Sequence, residues 1–160
     1  MTNNNDQKVM KQLRELTAIE QIKQLKARYA TAIDTVHANP GPQSAQAFAN
    51  LFTEDAVLTL PAGTFEGRAA ILAASETSFP AATRWSTHYV TNPIIEVGSA
   101  TEATGEWYVL LQFVPADPPG LGVISVYGRY DEIYRRCEGE DEGWLIAKSV
   151  ATLFIPPDPS

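Results

Sequence analysis

The order of the elements in this 160-residue sequence predicts an α+β fold: a curved, antiparallel sheet with its helices on one face. Two observations carry this. Apolar residues at helical spacing are concentrated in the first half, and the second half is a run of four long strand candidates separated by turn composition. Helices grouped ahead of consecutive strands argue against a doubly wound parallel sheet, in which the two alternate.

The first helix is read from Leu13, Leu16, Ile19, Ile22, Leu25, Tyr29 and Ile33, with Lys11, Arg14, Glu15, Glu20, Lys23, Gln24 and Lys26 on the other face. Asn39-Pro40-Gly41-Pro42 breaks the chain, and a short helix follows over 43–52 with Phe48, Leu51 and Phe52 inward. Ala56–Leu60 reads as a short strand with a brief return through Phe65, and Arg68 to about Phe79 as a third helix ended at Pro80. Strands are expected near 84–97, 101–114, 121–136 and 143–155. In the third of these Ile124, Val126, Gly128 and Tyr130 share one face, and Ser125, Tyr127, Arg129 and Asp131 the other. Neither set is wholly polar, so one face could line a cavity and the other a subunit interface. The reading is a single domain over 13–155, preceded by a flexible segment 1–12 and followed by a proline-rich tail 156–160.

Composition excludes several function classes. Hydrophobic residues make up 44% and charged residues 19%, an ordinary globular balance. Nineteen acidic against twelve basic side chains leave a net charge of −7, a field that repels phosphate backbones and anionic lipid surfaces, so neither nucleic acid nor membrane is an expected partner. No secretory signal and no membrane-length apolar run is visible, which makes the cytoplasm the expected location. Cys137 is the only cysteine, and the two histidines, His37 and His88, have no ligand spacing, so no metal site is expected. Gly120-Leu121-Gly122 lacks the third glycine and the strand-to-helix context of a dinucleotide fingerprint, and no cofactor is expected.

His88, within the strand-like Arg84–Asn92, is the residue that points to chemistry. Burial among aromatic and β-branched neighbours would hold its imidazole neutral and able to accept a proton, and a carboxylate on the far nitrogen would fix the tautomer. Asp34 lies at the flank of the helical stripe, where its carboxylate borders a cavity or points to water. His37 follows Asp34 by one turn and reads as an exposed helix-end residue ahead of the Pro-Gly-Pro break.

Ile22–Asp34, Phe52–Val57 leading to Gly63–Arg68, His88–Pro93, Ala103–Tyr108 and Tyr127–Arg136 closed by Gly143–Ile146 together resemble the SnoaL-like branch of the nuclear transport factor 2-like superfamily. The resemblance implies a cone-shaped α+β barrel, its curved and partly mixed sheet wrapped around about three N-terminal helices, with an apolar pocket at the wide end. It is similar in this respect to scytalone dehydratase, bile-acid dehydratase and hexachlorocyclohexane dehydrochlorinase. It implies that His88 accepts a proton, Asp34 orients it and Tyr29 donates a hydrogen bond to a substrate oxygen or leaving group, although core packing explains Tyr29 equally well. Phe113, Tyr127, Thr152 and Phe154 are expected cavity walls.

The function expected is a cofactor-independent lyase or isomerase, of dehydratase or dehydrohalogenase type, acting on a small apolar cyclic compound. The alternatives are a polyketide cyclase or ketosteroid-isomerase-like enzyme, and a non-catalytic hydrophobic-ligand or oligomerisation domain, since the fold does not settle the function. A homodimer or homotrimer is the expected assembly.

Overall fold

A computed structural model describes residues 4–137 and 143–154. The expected tail 156–160 and the turn over 138–142 lie outside the described residues. Helix α1 (Asn4–Ala38) begins nine residues ahead of Leu13 and includes most of the segment expected to be flexible. Its first buried side chain is Ala18, and before it Val9, Met10, Leu13 and Leu16 stay exposed. From Ile22 onward the stripe of Ile22, Leu25, Tyr29, Ile33 and Val36 is buried, because a 3.6-residue period keeps these positions on one side of the helix.

After α2 (Pro42–Ala49), which has proline at its N-terminal turn, the chain forms β1 (Phe52–Leu60) and β2 (Gly63–Glu66). The third helix divides at Thr77 into α3 (Arg68–Glu76) and α4 (Ser78–Ala82). Pro80 therefore does not end a helix as expected. It sits in the first turn of α4, where its missing N–H costs nothing. The long strands are β3 (Thr83–Val97), β4 (Glu102–Pro115), β5 (Ile124–Cys137) and β6 (Gly143–Leu153). Among the described residues no helix is long and apolar enough to cross a membrane.

The six strands form one open, mixed sheet in the order β2-β1-β6-β5-β4-β3. All neighbours are antiparallel except β1 and β6, which run parallel. Register shifts between Phe52 and Val57, Thr91 and Ile94, and Ile133 and Tyr134 bend the strands. At the second, Asn92 adopts φ 53° ahead of Pro93. The sheet curves around the helices, the cone-shaped architecture expected. At Gly128 the β6 backbone comes so close that an added Cβ would lie 2.5 Å from the Thr152 carbonyl oxygen, so only glycine fits.

The core lies between α1 and the inner sheet face. Tyr29 meets Phe48 and Phe52 at ring-centroid separations of 5.2 and 6.1 Å, and Phe48 meets Phe52 at 5.2 Å. Period-2 alternation separates the two sheet faces. Ser86 pairs with Phe113, and His88 with Leu111, on the inner face, whereas Tyr89 pairs with Leu110 on the outer. Trp85, Tyr89, Tyr108 and Tyr127 consequently form an exposed aromatic surface outside the cone.

Candidate active site

Tyr29, Ile33 and His37, at four-residue spacing along α1, form one wall of a cavity of about 270 Å³. Two turns separate the first from the last, a rise of about 12 Å. Ser86 and His88 of β3 enter from the sheet, and Val109, Leu111, Phe113, Val126 and Ala151 supply an apolar lining. Phe79, Leu60 and Pro61 close the remaining side.

Asp34 projects from the flank of α1 onto β3. Its Oδ1 lies 2.7 Å from His88 Nδ1, and its Oδ2 accepts the His88 backbone N–H at 3.1 Å. Ser86 Oγ–H donates to the same Oδ1 at 2.6 Å. Burial opposes the charge on Asp34, but the hydrogen bonds from His88 and Ser86, with the imidazole beside it, outweigh that penalty and hold the carboxyl below its ordinary value. An ionised Asp34 has no proton to give, so His88 Nδ1–H must be the donor. In the neutral imidazole the remaining ring nitrogen, Nε2, is the acceptor, and His88 lines the cavity with a side chain only 6% exposed.

His37 is not the exposed helix-end residue expected. Helix α1 runs on through Ala38, so His37 stays on the stripe of Tyr29 and Ile33 and lines the cavity. It does not compete with His88 for Asp34, because its Nδ1 lies 2.7 Å from Ser86 Oγ. Burial first, then the neighbouring His88, push its imidazole down to about 4 against the opposing effect of Asp34. The unfolded chain takes up this proton below about 6.5, and the folded chain only near 4. The site therefore loses stability as pH falls from about 6.5 to 4. Denaturant unfolding of His37→Gln across that window is expected to show a shallower loss than the parent. Equal slopes would mean that His37 is not buried neutral.

Tyr29 is both a cavity wall and fully buried, with burial and then the neighbouring Tyr130 raising its hydroxyl well above the ordinary phenol value. Behind the two rings lies Lys26, which the sequence places on the polar face of α1 and the structure buries. Its Nζ sits 3.9 Å from the Tyr29 ring centroid and 3.5 Å from that of Tyr130, and donates to Glu132 Oε1 at 2.7 Å. Ser149 Oγ donates to the same oxygen at 2.7 Å, and the Tyr134 hydroxyl donates to Glu132 Oε2 while accepting from Trp107 Nε1 at 2.8 Å. Lys26 is 1% exposed and Glu132 3%. Burial lowers the ammonium's pKa, and the facing Glu132 carboxylate opposes that shift.

Of the expected wall residues, Phe113 and Thr152 line the cavity. Tyr127 and Phe154 do not. Tyr127 alternates with the inward Val126, and the Phe154 ring packs at 5.8 Å on Tyr108 outside the cone. Gln112 likewise turns outward, to Ser125 at 3.3 Å.

No curated protein sequence matches the chain. The sequence profile of the SnoaL-like domain matches residues 14–150. A structure assigned as a scytalone dehydratase from Novosphingobium aromaticivorans is similar over 88% of this chain and 86% of its own, with TM-score 0.73 and 20% identity. The type 3 hexachlorocyclohexane dehydrochlorinase of Novosphingobium barchaimii is similar over 91% and 99%, with TM-score 0.73 and 22% identity. A nuclear transport factor 2-like superfamily protein from Salmonella enterica is similar over 90% and 94%, with TM-score 0.72 and 19% identity. With this cavity, this sheet order and a profile match over most of its length, the chain belongs to the SnoaL-like family and has the nuclear transport factor 2-like fold.

Proposed function

We propose that the protein is a cofactor-independent lyase or isomerase in which His88 removes a proton from a small, largely apolar cyclic substrate. One observation carries this reading: His88 holds its Nδ1–H on a carboxylate at 2.7 Å and presents its other nitrogen to an apolar cavity. Asp34 stabilises the imidazolium formed as the proton arrives, and loss of hydroxide or halide from the adjacent carbon completes an elimination. At the cavity wall the Tyr29 hydroxyl donates to that of Tyr130, so the proton this pair offers a departing or enolising oxygen is that of Tyr130. The dehydratase and dehydrochlorinase assignments of the structural neighbours favour elimination over cyclisation.

The test offers the protein γ-hexachlorocyclohexane, followed by chloride release, and cyclic β-hydroxyketones, followed by water loss and by deuterium uptake in D2O. Turnover by the parent and its collapse in a folded His88→Ala variant are expected. Equal rates for parent and variant would remove the reading.

We also propose that the outer sheet face joins two or three copies of the chain. Trp85, Tyr89, Tyr108 and Tyr127 are 40%, 52%, 53% and 59% exposed on one surface, a concentration of aromatics characteristic of interfaces. Sedimentation velocity is expected to give an oligomer for the parent and a monomer for Tyr108→Asp/Tyr127→Asp. A monomeric parent would refute the assembly.

A further inference from the structure

His37 and His88 hang from one carboxylate. His88 is bound to Asp34 directly, and His37 through Ser86, at 2.7 and 2.6 Å along the chain Nδ1···Oγ–H···Oδ1. Counting protons fixes the whole arrangement. Ser86 has one hydroxyl hydrogen and gives it to Asp34, so toward His37 it offers only a lone pair, and His37 Nδ1 must carry a hydrogen. His37 is neutral near pH 7, which leaves its Nε2 bare. His37 is thereby locked with its hydrogen on Nδ1, the same ring nitrogen through which His88 meets Asp34, and both residues line the same cavity. A proton-abstracting site of this kind uses one such base, and His37 is left over.

What His37 can recognise follows from its surroundings. A bare Nε2 accepts a hydrogen bond and cannot donate one. Among the described residues the ionisable groups lining the cavity are His37, His88, Tyr29 and Tyr130, none of them a lysine or arginine. The ammonium behind the tyrosine rings, that of Lys26, is spent on Glu132. Carboxylates and phosphates would enter without a counter-charge and beside Asp34, and are disfavoured. A neutral O–H is the complementary group. On α1, His37 lies on the same stripe as Tyr29 but two turns away, so this contact falls at the end of the cavity opposite the phenols.

We infer that His37 is a ligand-binding residue whose Nε2 accepts a hydrogen bond from a hydroxyl of the substrate, making neutral hydroxylated cyclic compounds, phenols or alicyclic alcohols, the class this cavity takes. Ser86 is the positioning residue that holds the His37 ring in the accepting tautomer. The inference shares with the proposed function the use of this cavity for a ligand, but it does not require His88 to act as a base.

The experiment uses the full chain and a pair of probes of nearly equal shape, 2-naphthol and 2-fluoronaphthalene, titrated by NMR. The parent is expected to bind 2-naphthol about tenfold more tightly, the ratio corresponding to one neutral hydrogen bond. The ratio is expected to fall to about one in His37→Phe, or in His37→Leu should the larger ring not be accommodated, and to survive in His88→Ala. Ser86→Ala is expected to lower it. Long-range 1H–15N spectra of the parent are expected to show both histidines protonated at Nδ1, with the His37 Nε2 resonance moving as 2-naphthol is added. A ratio that survives in the His37 variants, a ratio abolished by His88→Ala, a His37 protonated at Nε2, or no 2-naphthol binding up to millimolar concentration would each overturn the inference. Turnover that collapses in His88→Ala while the probe ratio ignores His37 would remove this inference and leave the proposed function standing. The reverse pattern would do the opposite.

Discussion

Asp34→Asn is expected to slow turnover at this site by about 10²–10⁴-fold, with His88→Ala slowing it at least as much. The amide has almost the shape of the carboxylate, so the fold and the cavity are expected to survive. Two things change. The negative charge that stabilises the imidazolium disappears, and the amide N–H2 can donate to His88 Nδ1, driving the ring proton to Nε2, where it points at the substrate instead of accepting from it. Because both substitutions disable one unit, the double variant is expected to be no slower than His88→Ala alone. Steady-state rates for the three variants, with near-ultraviolet circular dichroism to confirm folding, decide the matter. Independent, multiplying losses would mean that Asp34 does not act through His88.

Lys26→Met is expected to destabilise the fold by about 3–5 kcal/mol, the cost of leaving a buried charge without its partner. Glu132 would keep its hydrogen bonds from Ser149 and Tyr134 but lose the ammonium 2.7 Å away, in a place that only 3% of its surface can leave for water. Lys26→Met/Glu132→Gln removes both charges and is expected to recover part of the loss, which a mere packing defect at residue 26 would not allow. Urea denaturation midpoints of the two variants and the parent provide the measurement. A single variant within about 1 kcal/mol of the parent would show that the pair contributes little. The same substitution withdraws the cation from the faces of Tyr29 and Tyr130, so the cavity wall is expected to loosen together with the core.

The helix and strand order and the division of β5 into two faces were legible because each follows from a period, whereas the pairing of Asp34 with His88 was expected only from the family resemblance, the helical period alone leaving the Asp34 carboxylate at a cavity border or in water. Ile22, Leu25, Tyr29 and Ile33 repeat at helical spacing, and Val126 and Tyr130 at strand spacing. The misplaced residues are those for which residue type competed with period. Lys26 lies four residues after Ile22 and three before Tyr29, squarely on the buried side, but a lysine reads as solvated unless its partner is known. Glu132 alternates with Tyr130 and Tyr134, which was the available signal, and its pairing with Lys26 spans 106 positions that no local pattern bridges. His37 was discounted because of the prolines behind it, although its four-residue step from Ile33 carried the correct answer. Tyr127 was chosen for its aromatic ring against the alternation that turned it outward. Pro80 illustrates a different limit, since a proline in the first turn of a new helix and one at the end of an old helix look alike in sequence.

The parallel pairing of β1 with β6 bears on how the chain assembles. Strand β6, the last of the described strands, is an interior strand of the sheet, flanked by β1 on one side and β5 on the other. Until it docks, the molecule consists of a hairpin of β1 and β2 and a three-stranded ribbon of β5, β4 and β3, each with an unsatisfied edge. Sealing the seam requires a contact such as Phe52 with Ile146, across more than half the chain, so loop-closure entropy must be overcome late and all at once. On a ribosome two incomplete half-sheets persist until β6 has emerged, and during that interval their unpaired edges are open to pairing with a neighbouring chain.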